Sequence, residues 1–226
     1  MRYKYILLDL DNTLYDTLQT EKQAMRAFLE YYAADKDIEK LYVEYQHINH
    51  ELWTSLEEGN ISIDKINTER FRRFFDQEHI SADPVEAGSF YLDLLCKNHL
   101  FYPSAAEIYE YLTKKYRVAL ITNGLKAAQE RRIRNTFLQQ EISPLYIGEV
   151  IGYHKPDPKV VEYIMNQEGW DDKKQVMIIG DSLSSDIQCA VNSGISSIWC
   201  NFTGESPGKY RPDFTVYNLI EIKNLL

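Results

Sequence analysis

The sequence predicts an α/β fold: a three-layer core built on a parallel sheet, interrupted by an all-helical insertion. Three observations carry that prediction. After residue 99, short apolar runs alternate with helical patterns, the arrangement that produces parallel sheets. Between Asp16 and about Asn98 no alternating or β-branched run occurs, and the only proline is Pro84. Finally, the run Tyr5-Ile6-Leu7-Leu8, which precedes the insertion, ends in the same way as later runs do, in polar residues suited to a ligand site.

Taken in order, Tyr5 to Leu8 reads as a short buried strand. Within the insertion, apolar residues recur at helical spacing: Ala24, Ala27, Phe28 and Tyr31, then Ile66, Phe71, Phe74 and Phe75. The spacing predicts helices over 18–33, 38–57, 63–79 and 84–98, punctuated by Glu58-Gly59-Asn60 and Ser81-Ala82-Asp83-Pro84. Strands are expected at 117–122, 147–152, 175–180, 196–201 and 214–217. The expected division is a core of 1–15 and 100–226 and an insertion of 16–99, linked through residues 15–17 and 99–103.

The first strand closes in Asp9-Leu10-Asp11-Asn12-Thr13. Open α/β sheets bind ligands at the carboxyl ends of their strands. Two acids two apart on extended chain project to one side. They repel unless a cation is held with them. The arrangement suits a nucleophilic Asp9, an acid/base Asp11 and a Mg²⁺. Alone, the same residues also fit a turn or a helix cap. Three later features agree with the chemical reading. Arg117 to Ile121 runs into Thr122-Asn123-Gly124, a hydroxyl followed by backbone N–H groups at a strand-to-helix turn, which is a cradle for phosphate. Lys155 is a point cation in His154-Lys155-Pro156-Asp157-Pro158, stiffened by two prolines. Val176 to Ile179 leads into Gly180-Asp181-Ser182-Leu183-Ser184-Ser185-Asp186, which adds two carboxylates at another strand end.

Together these four motifs resemble those of the haloacid dehalogenase superfamily, and they bracket the chain from Asp9 to Asp186. The resemblance implies a Rossmann-like core with a helical cap inserted after the first motif, closing over the site to exclude water. It also implies roles. Asp9 would form an aspartyl-phosphate, and Asp11 would protonate the leaving alcohol and then activate water. Thr122, Asn123, Gly124 and Lys155 would hold the phosphoryl group. Asp9, Asp181 and the backbone carbonyl of Asp11 would hold Mg²⁺, with Asp186 orienting Lys155 or metal-bound water. Dehalogenases of the superfamily lack the second aspartate, because halide needs no proton; Asp11 therefore points to a phosphatase.

Substrate choice is expected in the insertion. Tyr45, Asn49, Leu52-Trp53, Gly59, Ile61 and Arg70-Phe71 resemble the cap of bacterial pyrimidine nucleoside-5′-monophosphate phosphatases, whose Gly-x-x-Lys-Pro-Asp-Pro run is also similar to residues 152–158 here. That resemblance implies base recognition by Asn49 and Trp53, with stacking on a flat aromatic. Helical spacing alone puts Trp53, Phe71 and Phe74 in the core of the insertion.

Composition narrows the partners. The 226 residues carry 34 acidic and 25 basic side chains, a formal net charge of -9. That balance disfavours nucleic acid and anionic membrane as partners, and leaves a small phosphorylated metabolite attracted locally by Mg²⁺ and Lys155. The three cysteines form no Cys-x-x-Cys motif, and neither a signal peptide nor a run of 18 apolar residues is found, so a cytoplasmic enzyme is expected. A sugar-phosphate phosphatase and a phosphosugar mutase use the same motifs and are the alternative readings. Receiver domains are about half this length and phosphorylate a middle strand. Gly180 to Leu183 spells a serine-esterase tag, but all five histidines precede Ser182. Gly204 to Lys209 is one spacer short of a P-loop, and His47 with His50 has no further zinc ligand nearby.

Overall fold

The computed structural model describes residues 2–97, 100–134, 136–140 and 143–226. They form two compact units: Met1–Asp16 with Phe101–Leu226, and Thr17–Leu100. Of the residues expected in helix 84–98 and in the link 99–103, Asn98 and His99 lie outside the described set.

The first unit is a six-stranded, fully parallel sheet: β1 (Tyr5–Asp9), β2 (Arg117–Thr122), β3 (Leu145–Ile147), β4 (Val176–Gly180), β5 (Ser196–Cys200) and β6 (Phe214–Val216), in the order β3-β2-β1-β4-β5-β6. The central strands are buried on both faces, and alternate residues serve the two layers. Ile6, Leu8, Val118, Leu120, Met177 and Ile179 pack with Ile108 and Leu112 of α5 (Ala105–Lys115) and with Leu219 and Ile222. Leu7, Ala119, Ile121, Val176 and Ile178 face the other layer, formed by α8 (Lys159–Glu168) and α9 (Gln188–Ser193). Each of these Val, Leu, Ile and Met side chains contributes about 1.5–3 kcal/mol of burial, which holds the strands in fixed register up to their ends.

Strand order reverses at β1. From there the chain builds outward through β2 and β3, then crosses to β4 on the other side. Asp9 pairs in register with Ile121, and Leu8 with Ile179, so the ends of β1, β2 and β4 lie level. That is the crevice in which open α/β sheets bind ligands.

One expected strand differs. Residues 147–152 do not extend as a strand; β3 ends at Ile147, and α7 (Gly148–Ile151) follows, closed by Gly152 at φ +79°. Ile147 and Ile151 are four residues apart and pack inward, whereas Val150 is exposed. The apolar run therefore follows a helical turn rather than a pleat.

The second unit consists of α1 (Thr17–Tyr32), α2 (Ile38–Glu57), α3 (Ile63–Glu78) and α4 (Pro84–Lys97). Its core is aromatic: Phe28 stacks on Phe71 at 4.7 Å and meets Tyr91 edge-on. Phe71 and Phe74 are buried in it, as helical spacing predicts, while Trp53 is half-buried and outside the cluster. Arg70 is buried among these rings, donating to Tyr45 Oη (3.1 Å) and Asn49 Oδ1 (3.3 Å). No helix among the described residues is long and apolar enough to cross a membrane.

Where the chain leaves the first unit and returns to it, the two connections run side by side. Tyr15 and Phe101 form an antiparallel bridge with their rings stacked at 4.6 Å, and Tyr102 N–H donates to Leu14 O (2.9 Å).

Candidate active site

Beyond Asp9 the backbone turns back on itself. Leu14 and Tyr15 N–H groups both donate to Leu10 O, and Asn12 takes a left-handed φ of +56°, a conformation that Asn tolerates. Asp9 thus remains in the sheet, while Asp11 swings to the side of β2.

Asp9 is almost wholly buried, and its Oδ1 accepts from Lys155 Nζ at 2.6 Å. The same ammonium donates to Asp186 Oδ1, also at 2.6 Å. Asp9, Asp181 and Asp186 bring carboxylate oxygens within 4.8 Å of one another. Burial pushes the Asp9 carboxyl up to about 7, against the pull of Lys155 and with help from Asp186 and Asp11. Asp181 is raised well above its ordinary range, by burial first and then by Asp9 and Asp186. Burial alone would lower Lys155, but Asp186 and Asp9 outweigh it and hold the ammonium above its ordinary value. Fully ionised, three carboxylates and one lysine sum to -2 (-3 + 1), the deficit that a divalent cation would cancel. Asp9 Oδ2 is buried without a hydrogen-bond partner among the described residues. An orphaned carboxylate oxygen in such a cluster fits a hard cation or an electrophile.

The supports of this cluster are specific. Lys155 is positioned by Asn123, whose Oδ1 accepts from Lys155 N (2.9 Å) and whose Nδ2 donates to Lys155 O (2.7 Å) and Ser185 Oγ (3.3 Å). The Asn123 side chain therefore serves the Lys155 loop. Asp186 Oδ2 accepts from Ser182 N (3.0 Å) in the π-helical turn Leu183–Ile187, a rare local geometry that recurs at functional sites. Gly180 is required there, because a Cβ would lie 2.2 Å from Asp186 Cγ. Asp181 is anchored through its carbonyl, which accepts from Trp199 Nε1 at 2.7 Å, and its Oδ1 accepts from Thr13 Oγ1 at 3.4 Å.

Asp11 has different neighbours. Its carboxylate is outside the acidic trio. Oδ2 accepts from Thr122 Oγ1 (3.3 Å) and from Gln129 Nε2, and Oδ1 is ion-paired with Arg132 Nη1. Gly124 N–H donates to Thr122 Oγ1 (2.9 Å), which orients that hydroxyl. Both Gln129 and Arg132 lie on α6 (Lys126–Ile133), immediately after the Thr122-Asn123-Gly124 turn. Neither residue belongs to the four sequence motifs. The pair's signal is a glutamine and an arginine three apart, which places them on one helix face directly beyond the cradle. In a run with Arg131 and Arg134, that face resembles an ordinary solvated one.

The structure therefore brings Asp9, Asp11, Thr122, Asn123, Gly124, Lys155, Asp181 and Asp186 to the ends of three neighbouring strands. Asn49 and Trp53 lie in the helical unit, one turn apart on α2. Asn49 presents its carbonyl oxygen to Arg70 there.

Known proteins resemble this chain along its whole length. Pyrimidine 5′-nucleotidase YjjG of Escherichia coli is 28% identical, with 100% of this chain and 99% of the relative aligned. Pyrimidine 5′-nucleotidase PynA of Streptococcus pneumoniae is 31% identical over 100% and 96%. Among solved structures, that of the HAD-hydrolase YfnB from Bacillus subtilis bound to magnesium superimposes with a TM-score of 0.89 at 24% identity, over 100% of this chain and 99% of that one. The family model described as haloacid dehalogenase-like hydrolase matches residues 6–200, and the chain belongs to that family of hydrolases.

Proposed function

We propose that the protein is a Mg²⁺-dependent phosphomonoester hydrolase that works through an aspartyl-phosphate on Asp9, with pyrimidine nucleoside 5′-monophosphates as substrates. The observation that carries this reading is the asymmetry of Asp9: one oxygen is anchored by Lys155, and the other is buried and unpartnered beside Asp181 and Asp186. The free oxygen is the nucleophile. Asp9, Asp181 and the Asp11 carbonyl would hold Mg²⁺, which when bound supplies neutralisation of the carboxylates and of the phosphoryl oxygens.

In the first half-reaction Asp9 Oδ2 attacks phosphorus, and the ester P–O bond breaks with its electron pair on the departing oxygen. Protonated Asp11 gives its proton to that oxygen, releasing the alcohol. In the second, the Asp11 carboxylate takes a proton from water as the water oxygen attacks phosphorus. The bond from phosphorus to Asp9 breaks, and phosphate leaves. Lys155 and Thr122 donate to the phosphoryl oxygens, Gly124 and the Asn123 backbone complete the cradle, and Asp186 orients Lys155. The helical unit would serve as the cap that excludes water. Base selection falls to Asn49 and Trp53: Arg70 holds the Asn49 carbonyl, which leaves its NH₂ as the donor for a base edge. The full-length similarity to two pyrimidine 5′-nucleotidases supports this substrate class. A reducing compartment agrees with Cys189 and Cys200 being free thiols.

The test is phosphate release with Mg²⁺ from nucleoside monophosphates and sugar phosphates side by side. A preference for pyrimidine monophosphates that is lost in Trp53→Ala or Asn49→Ala supports the assignment. A preference for sugar phosphates keeps the chemistry and removes the base-selecting role.

A further inference from the structure

The catalytic roles above give Asp11 two tasks, proton donor and then proton acceptor, and both depend on where its oxygens point. A carboxylate on a reversing turn after a strand has a freely rotating side chain unless something holds it. Here both oxygens are held, and by residues from outside the four motifs. Arg132, 1% exposed, takes Oδ1. Gln129, equally buried, donates to Oδ2 on the side of Thr122. Arg132 is itself fixed from behind, with its guanidinium carbon 4.1 Å from the centre of the Tyr15 ring. Gly124 leaves room for the glutamine: a Cβ there would stand 2.3 Å from Gln129 Nε2 and 3.1 Å from Asp11 Oδ2.

Burial of an arginine is costly unless a carboxylate is held in good geometry, and a purely structural pair gains nothing from lying against a phosphate cradle. Resting on the phosphomonoesterase reading, we infer that Arg132 and Gln129 are positioning residues: they act through Asp11, locking its carboxylate so that Oδ2, the oxygen beside Thr122, is the one that exchanges protons with leaving group and water. Oδ1 is withdrawn from the reaction by the guanidinium. Neither residue touches the substrate. Their effect is confined to the proton-transfer part of the barrier, where general acid–base catalysis supplies on the order of 10² to 10⁴-fold.

The distinguishing experiment measures kcat and KM of Arg132→Met and Gln129→Met, each in the native and in the Asp11→Asn background, on an alkyl phosphate and on p-nitrophenyl phosphate at saturating Mg²⁺. The alkyl leaving group needs a proton and the nitrophenolate hardly does. Arg132→Met is expected to lower kcat on the alkyl ester by roughly 100-fold and on the aryl ester only a few-fold, with KM little changed. Arg132→Lys should recover part of the loss. In the Asp11→Asn background neither substitution should cost anything further, because the residue through which they act is already disabled. If Arg132→Met does not fold by circular dichroism, Gln129→Met, smaller in effect but in the same direction, decides. Equal losses on both esters, or losses that add to that of Asp11→Asn, overturn the inference while the phosphatase assignment stands. Absence of turnover by the native enzyme on either ester overturns both.

Discussion

Asp9 and Asp11 are two residues apart on the chain yet belong to two unlike regions of the first unit. Asp9 sits among carboxylates, with one lysine shared between two of them and one oxygen left without a partner among the described residues. Asp11 sits among donors, with an arginine, an amide and a hydroxyl on its two oxygens. The first region is charged beyond what its own cations cancel and calls for a ligand. The second surrounds its acid with donors from three side chains, and Gln129 Oε1 is left buried without a hydrogen-bond partner among the described residues. In the proposed mechanism the nucleophile needs a bare oxygen and the proton carrier must be aimed, and the two environments suit these opposite needs.

The comparison breaks most sharply at Asp9. Asp9→Asn is isosteric but not nucleophilic, so turnover should fall by on the order of 10⁴-fold or more with the fold intact by circular dichroism. Near-normal phosphate release would remove Asp9 from the mechanism. Asp11→Asn should cost roughly 10² to 10³-fold on alkyl phosphates and far less on p-nitrophenyl phosphate; equal losses would mean that Asp11 is not the leaving-group acid.

The two glycines test the regions through the space beside their acids. Gly180→Ala drives a Cβ into the base of Asp186, which is buried and has nowhere to go. It should cost about 1–3 kcal/mol of stability by denaturant melts, as overpacking does, and most of the activity. Gly124→Ala meets the far end of Gln129 and brings its Cβ within 3.1 Å of Asp11 Oδ2. The amide can swing away, so the fold should be nearly unaffected and alkyl-phosphate turnover should drop by roughly tenfold, about one hydrogen bond's worth.

The smallest effect separates the regions by charge. Asp9 lies at about 7 rather than its ordinary 3.8, and Asp181 is displaced in the same direction. A carboxyl raised by folding adds stability below its unfolded value, and that stability is lost as pH climbs through the folded value. Without divalent cation, stability should therefore fall between about pH 4 and pH 7 for this cluster. Mg²⁺ binds the folded form and should reverse the loss, raising Tm by about 5 °C or more at pH 7.5 and by less at pH 5. An equal Mg²⁺ effect at both values would place the ion elsewhere.

The sheet and the acidic region were legible in sequence because each signal is local. Val176 to Ile179 is a strand by composition, and Gly180-Asp181 announces its end within two residues. In the second region Asp11 and Thr122 were legible, but Gln129 and Arg132 were not. Asp11 and Arg132 are separated by the whole helical insertion, and nothing in Gln129-Glu130-Arg131-Arg132 indicates which arginine turns inward. Only the packing of α6 against Tyr15 decides that. The expected strand at 147–152 failed for a related reason: three apolar residues in six fit a pleat or a helical turn equally, and the choice is made by the burial of Ile147 and the packing of Ile151 against the layer of α8 and α9.

The side-by-side connections at Leu14–Tyr15 and Phe101–Tyr102 have a consequence for the architecture as a whole. Because departure and return are already paired and stacked, the core treats everything from Thr17 to Leu100 as the contents of a closed loop. Loop-closure entropy grows only slowly with length, so the core is nearly indifferent to what the loop holds. Paired connections of this kind should let the insertion be lengthened or shortened at little entropic cost while the strand ends keep their register.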